Sequence, residues 1–331
     1  MDLIEILSFA FRSAVGPLAI TFALAAIGLN IHYGYTGLLN IGQVAFVMVG
    51  AYGLAITVDV FGGSHVLGAL VGLGLAALLA VLLAVPTLRL RADYLAITTI
   101  SVGEVLRLAT RSSQAAPLTR GADGIAGLGG PFYALNPIPP GDYGFWIFQL
   151  GSERRVWLML VGWGLIALMC LLVWALMRSP WGRVLRAIRE DEEAARSLGK
   201  NVFSYKMQAL VLGGVIGGLA GVYYAIQAAG VAPDTFDPRI TFYAYVILIL
   251  GGPGRVLGPV LGALIFYALF QGADVLLRQG AAGGWLPLVE WFGSQAIGAT
   301  RLALVGLVLM LLMIFRPQGI LGDRREMSLG A

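Results

Sequence analysis

Residues 189–201 read REDEEAARSLGKN. Seven of these thirteen residues are charged, in a chain whose charged share is only 12%. Apolar segments run up to the block and away from it. Its local grammar is helical. Ser179 and Pro180 suit an N-cap and a first helical position. Trp181, Leu185 and Ile188 then recur on one face of a helix, and Arg183, Arg186 and Arg189 on another. Asp191 can cap a second short helix, with Glu192 and Glu193 in its first turn, where the helix dipole favours anions. Glu192 and Arg196 are four apart in the favourable order, and Gly199 is a natural stop. Arginines alone would serve topology. Two caps and four consecutive acids, residues 190–193, point instead to a rigid element on which a partner docks.

The rest of the chain says where that element sits. It has 331 residues, 58% hydrophobic. A soluble domain is about half apolar and one quarter charged, so this composition leaves too little polar surface for a water-soluble particle. A membrane helix needs about 20 mostly apolar residues. Candidate spans lie near 13–30, 37–60, 65–86, 93–110, 155–177, 207–229, 240–252, 256–277 and 299–315, nine in all within a range of eight to ten. The opening residues suit a further short helix. The expected fold class is all-α: one polytopic membrane domain over 1–331.

Lys and Arg stay cytoplasmic in short loops. They gather in 178–206 (Arg178, Arg183, Arg186, Arg189, Arg196, Lys200, Lys206), in the tail 316–331 (Arg316, Arg324, Arg325), and before the fourth span (Arg89, Arg91). With nine spans all three regions fall on one side. The carboxyl terminus is then cytoplasmic, and the amino terminus and the loop 111–154 lie outside. That loop, with TRGADGIAGLGGPF and NPIPPGDYG, reads as a set of turns, or as turns packed against an outside partner.

Several chemistries find no support. The single Cys170 excludes an intrachain disulfide, and His32 and His65 lack a ligand-rich neighbourhood, so no metal is expected. No nucleophile and base pair up, and topology accounts for the basic residues without nucleic acid. Polar groups inside spans are costly and usually face a bundle interior or a cavity. Asn40 and Gln43 stand in the second span near Gly37, Gly42 and Gly50. These glycines suit helix packing more often than a break. The fourth span carries Thr98, Thr99, Ser101, Glu104 and Arg107. Glu104 is expected near mid-bilayer, with Arg107 in pairing range at i+3. Asn40, Gln43, Thr98, Thr99, Glu104 and Arg107 are the candidate lining of a translocation pathway, with a structural ion pair as the plainer use of Glu104 and Arg107. Asp274, near the end of the eighth span, is a weaker candidate.

Six stretches then carry a family resemblance. Glu193-Ala194-Ala195 followed by Gly199 resembles the EAA-x-x-x-Gly loop of ABC importer permeases, and GRVLRAIREDEEAARSLGKNVFSYK (182–206) is similar to that of the LivM-type branched-chain amino acid permeases. GYTGLLNIGQVAFVMVGAY (34–52), LRLRADYLAITTISVGEVLRL (88–108), TRGADGI (119–125), LGGPGRVLGPVLGA (250–263) and FRPQGILG (315–322) follow in the family's order. Pro253 and Arg255 depart from its commoner Gly-x-Gly-Ser or Gly-x-Gly-Thr pattern.

The resemblance implies an ABC importer permease of the BtuC-like (type II) kind in the bacterial inner membrane. It implies a second, LivH-like permease as heterodimer partner, two cytoplasmic ATPases and a periplasmic binding protein. Arg186, Arg189, Glu192, Glu193, Ala194, Ala195 and Gly199 would form the ATPase-coupling loop. The chain has no G-x-x-x-x-G-K-[ST], so no cofactor is expected on it and ATP is used by its partners. The cargo would be branched-chain or similar apolar amino acids; the wider family also includes urea and short-chain amide permeases. An ion-coupled secondary transporter would have Glu104 as its one good coupling acid and no use for the capped loop. A non-transporting scaffold would leave the polar fourth span without purpose.

Overall fold

The computed structural model describes residues 3–88, 92–145, 148–282, 294–316 and 318–322. Arg89, Arg91, Arg324 and Arg325, counted above toward topology, lie outside the described residues. The chain is mostly helical. After a short α1 (Leu3–Ala14), every apolar segment marked by hydropathy carries a helix: α2 (Pro17–Leu29), α3 (Gln43–Asp59), α4 (His65–Thr87), α5 (Ala92–Arg111), α8 (Glu153–Arg178), α11 (Val202–Gln227), α12 (Arg239–Gly251), α13 (Gly258–Ala282) and a final helix, Ser294–Phe315. Among the described residues, five of these are long and apolar enough to cross a membrane unaided: Pro17–Tyr35, His65–Thr87, Glu153–Arg178, Val202–Gln227 and Gly258–Gln279.

Two spans differ from their expected bounds. The first does not stop at residue 30 but widens into a π-helix, Asn30–Tyr35. The second is helical only from Gln43, so 37–42 of its expected range is a turn. The cause is local. Gly37 takes φ +74°, which a side chain would strain. The Asn40 side chain then accepts from the Gly42 amide at 2.9 Å, an Asx-type turn that competes with helix.

The core is built around α2, α3 and α11. α2 is buried on nearly all sides, whereas most of α4 and α8 faces outward, which fits a bundle whose rim meets hydrocarbon. Close approach depends on small residues. A Cβ on Gly50 of α3 would lie 2.1 Å from the Gly218 carbonyl oxygen of α11, and one on Gly72 of α4 would lie 2.5 Å from the Gly50 carbonyl oxygen. The three backbones therefore touch, as in membrane helix pairs that associate by packing. On the rim, Asp274 of α13 pairs with Arg278 at 2.8 Å and with Arg301 of the final helix at 3.0 Å.

The all-α expectation needs one addition at the loop end of the bundle. Within 111–154 the glycine-rich stretches carry α6 (Ala116–Thr119), α7 (Gly130–Ala134) and three short strands, β1 (Ile125–Ala126), β2 (Asp142–Phe145) and β3 (Phe148–Ser152). β2 and β3 form a hairpin, and β1 pairs antiparallel with β4 (Gly230–Val231) after α11. Arg120 pairs with Asp59 at 3.1 Å. His65 Nε2 donates to the Leu128 carbonyl at 2.6 Å. At the opposite end, α8 and α11 are joined by α9 (Pro180–Glu190) and α10 (Glu192–Ser197).

Candidate functional site

The α9–α10 connector has the predicted grammar in most details. Pro180 opens α9. Ser179 occupies the N-cap position, yet its hydroxyl donates back to the Leu176 carbonyl at 2.6 Å instead of capping α9. Leu185 and Ile188 are buried. Trp181 is half-buried and donates through Nε1 to Gln208 of α11 at 2.8 Å. The Asp191 carboxylate accepts from the amides of Glu193 (2.9 Å) and Ala194 (3.0 Å), a cap worth about 1 kcal/mol. Gly199 takes φ +73°. Its amide reaches the Arg196 carbonyl at 2.9 Å, and the Lys200 amide reaches Ala195 at 3.2 Å. These two bonds make a Schellman stop.

Charge ties the connector to its surroundings. Glu192 pairs with Arg196 at 3.0 Å and also with Lys206 of α11. Arg186 donates to the Met177 carbonyl, otherwise an orphan acceptor at the end of α8, at 2.8 Å. Arg189 donates to the carbonyl of Gly34. Ala195 packs with Ile188 and Val202. The other side of α10 is open: Glu193, Ala194, Ser197 and Leu198 are exposed, Leu198 at 78%. A rigid, capped helix pair thus presents one free face and plants the other in the bundle.

What it is planted in is a buried polar hub that sequence reasoning saw only in part. The π-helix turns Asn30 toward the loop after α12. Asn30 Nδ2 donates to the Arg255 carbonyl and Oδ1 accepts from the Gly254 amide, each at 2.9 Å. His32 Nε2 lies 3.1 Å from the Leu210 carbonyl. A carbonyl only accepts, so Nε2 carries the proton and Nδ1 is the acceptor for Asn40 Nδ2 at 3.0 Å. Asn40 Nδ2 also donates to Gln43 Oε1 at 3.1 Å, and Gln43 Nε2 to the Ala25 carbonyl at 3.2 Å. The Tyr245 hydroxyl of α12 donates to the Asn40 carbonyl at 3.0 Å. Asn40, Gln43 and His32 are each 0% exposed. Their polar atoms are spent holding α2, α3, α11 and α12 together.

The α5 candidates divide between two faces. Thr99 is buried; its hydroxyl accepts from the Ile41 amide at 3.1 Å and so fixes the 37–42 turn. Thr98 and Ser101 lie on the more open side, their hydroxyls donating to their own helix at Tyr94 and Ile97, both at 2.8 Å. Glu104 and Arg107 form the expected pair, with Nε at 3.0 Å and Nη2 at 2.9 Å. Arg107 and Arg111 both reach Asp234, at 3.3 Å and 3.0 Å, in the turn after β4. Glu104 is seven residues from the end of α5 at Arg111. That is about 10 Å, so the pair sits toward the loop end of the span.

Asn30 and His32 were missed as site residues. Asn30 carried the signal, a polar side chain inside an apolar run, that singled out Asn40 and Gln43. His32 has no ligand-rich neighbours in sequence; its partners are Leu210 of α11 and Asn40 of the following turn.

Comparison with known proteins follows the same lines. A family model described as "Branched-chain amino acid transport system / permease component" matches residues 13–316. The chain is 31% identical over 320 residues to the high-affinity branched-chain amino acid transport system permease protein LivM of Escherichia coli K12, covering 93% of this chain and 69% of that one. It is 24% identical over 340 residues to the probable branched-chain amino acid transport permease protein LivM of Methanocaldococcus jannaschii, covering 92% and 91%. A shorter match, 30% identical over 175 residues and 49% of each chain, is to the autoinducer 2 import system permease protein LsrC of Photorhabdus laumondii.

Proposed function

The chain belongs to the family of branched-chain amino acid transport permease components, and from that membership we propose that it is one membrane subunit of an ABC importer for branched-chain or similar apolar amino acids. It is a transport subunit, not an enzyme. In this reading it crosses the bacterial inner membrane nine times in the BtuC-like, type II manner. The α9–α10 connector and the carboxyl terminus are cytoplasmic, and 111–154 is periplasmic. A LivH-like permease is its heterodimer partner. Two ATPase subunits bind and hydrolyse ATP inside, and a binding protein delivers cargo outside. The amino acid cargo rests on relatives that match nearly the whole chain, whereas the autoinducer relatives match half of it.

The observation that carries the reading is the connector's two-sidedness. Its free face offers Glu193, Ala194 and Leu198 to a partner, and its inner face grips α8, α11 and the π-helix through Arg186, Lys206–Glu192 and Arg189. A push on α10 therefore has a stiff route into the bundle. The more open side of α5, with Thr98, Ser101 and the Glu104–Arg107 pair, is the proposed pathway lining; Asn40 and Gln43 hold the break in the second span that shapes it.

Two measurements test this. Glu193→Lys or Gly199→Pro should lower association with the co-expressed ATPases while membrane insertion is intact; unchanged association would remove the connector's role. In vesicles, uptake of leucine should require the ATPases and ATP. Gradient-driven uptake by this chain alone would overturn the importer reading.

A further inference from the structure

At the end of the bundle away from the connector, Arg12 in the last turn of α1 and Arg155 in the first turn of α8 stand side by side. A Cβ on Gly151 of β3 would lie 2.7 Å from Arg12 Nη2 and 3.4 Å from Arg155 Cδ. Arg155 Nη2 donates to the Arg12 carbonyl at 3.3 Å. Arg154 joins them, its guanidinium 5.9 Å from the Tyr133 ring centre. None of the three forms an ion pair among the described residues, although arginines elsewhere on the same end, such as Arg107, Arg111 and Arg120, all do. Glu153, the acid next in sequence, turns Oε2 to the Gly141 amide at 3.4 Å instead. The Nε atoms of Arg12 and Arg155 are both buried without a hydrogen-bond partner.

Such an arrangement is costly. Two partly desolvated like charges repel, and each unpaired buried donor forfeits its hydration. An anion held by Arg154 and Arg155 would offset the repulsion, and a guanidinium fork matches a phosphate or carboxylate bidentately. There is room for one. Arg154 and Arg155 line a cavity of about 430 Å³, with Ser13, the neighbour of Arg12, also on its wall; the wall continues through Ser152, Gln227 and Gln271, and its apolar side is Pro17, Leu18 and Leu158.

We propose that this cavity binds the phosphodiester group of an anionic phospholipid. Its place in the fold argues for a lipid over a free anion. Arg155 sits where α8 begins its long apolar run, and Pro17 where α2 begins its own, which is the level of the headgroups. Leu18 of the cavity wall is exposed, as are Leu7 and Phe9 on α1, the helix that ends in Arg12. An acyl chain could cover them, and a lone inorganic anion could not. A cationic pocket flanked by apolar surface suits a headgroup and its acyl chain together.

The test is thermal unfolding of the purified full chain titrated with short-chain phosphatidylglycerol, short-chain phosphatidylcholine of the same tails, and inorganic phosphate. Phosphatidylglycerol should raise Tm saturably, at a concentration at least tenfold below that needed for phosphatidylcholine. Inorganic phosphate at that concentration should do nothing. Arg154→Gln with Arg155→Gln should abolish the shift. A shift retained in the variant would overturn the site. An equal shift with inorganic phosphate would overturn the lipid assignment. Should the double variant fail to fold, native mass spectrometry on Arg155→Gln decides: retained phosphatidylglycerol defeats the proposal, and its loss supports it.

Discussion

The connector at 179–201 and the hub at 30–43 meet at one contact, Arg189 on Gly34, yet they are built on opposite principles. The bonds that shape α10 are local, apart from the Glu192–Lys206 pair that ties it to α11. Asp191 caps residues two and three positions on, Glu192 pairs four on, and Gly199 closes onto Arg196. In the hub the defining bonds join residues far apart in sequence: Asn30 to Gly254, His32 to Leu210, Val44 to Thr241. The outer face of the connector is exposed and should respond to substitution in small independent steps. The hub is buried, so each loss there leaves polar atoms with neither protein nor water.

The sharpest way to break this comparison is Gly34→Ala. Its new methyl would sit 1.9 Å from Asn30 Oδ1 and 2.6 Å from the Gly254 amide nitrogen. Backbone cannot step aside as a side-chain tip can, so a loss of at least about 3 kcal/mol is expected. It should appear as a drop in Tm in detergent and a reduced yield of folded protein. A variant with wild-type Tm would mean that the π-helix is not packed as described.

Asn30→Ala comes next. It leaves the Gly254 amide unpaired and takes one of two donors from the Arg255 carbonyl, which keeps the Gly258 amide, at about 1–3 kcal/mol. It also removes the atom that the Gly34→Ala methyl strikes first, so the double variant should be more stable than the sum of the single losses implies. Such coupling is expected of neighbours that share partners. Additive losses would show that the two residues act separately, and the hub would be no hub.

The same contrast explains what the sequence made legible. Hydropathy located every long helix, because a span is a property of twenty neighbouring residues. Caps and i,i+4 pairs located α9 and α10, because they are properties of four. The π-helix and the turn at 37–42 escaped both windows. NIHYGY has no composition that separates it from α-helix, and its widened turn aims Asn30 and His32 at residues 225 and 178 positions away, respectively. Asn40 and Gln43 were visible as polar residues in a span. Whether such residues face a cavity or a neighbouring backbone is decided by helices elsewhere in the chain.

The smallest expected effect belongs to the connector, and it is the one that bears on function. Asp191→Ala removes two charge-assisted bonds to the amides of Glu193 and Ala194. These amides are exposed, so water replaces the carboxylate and the loss is about 1 kcal/mol. Tm of the whole chain should barely move, because α10 frays before the bundle opens. Hydrogen exchange at residues 193–195 should nevertheless rise by about fivefold, the factor that 1 kcal/mol confers on a local opening equilibrium. Combined with Asn30→Ala, the losses should add, since the two sites share no partner. If α10 transmits an ATPase's motion, this variant should also bind the ATPases somewhat more weakly, with membrane insertion unchanged. Unaltered exchange at 193–195 would mean that the helix is held by Ala195 and the Glu192–Lys206 pair instead of by its cap, and the local account of the connector would give way to a tertiary one.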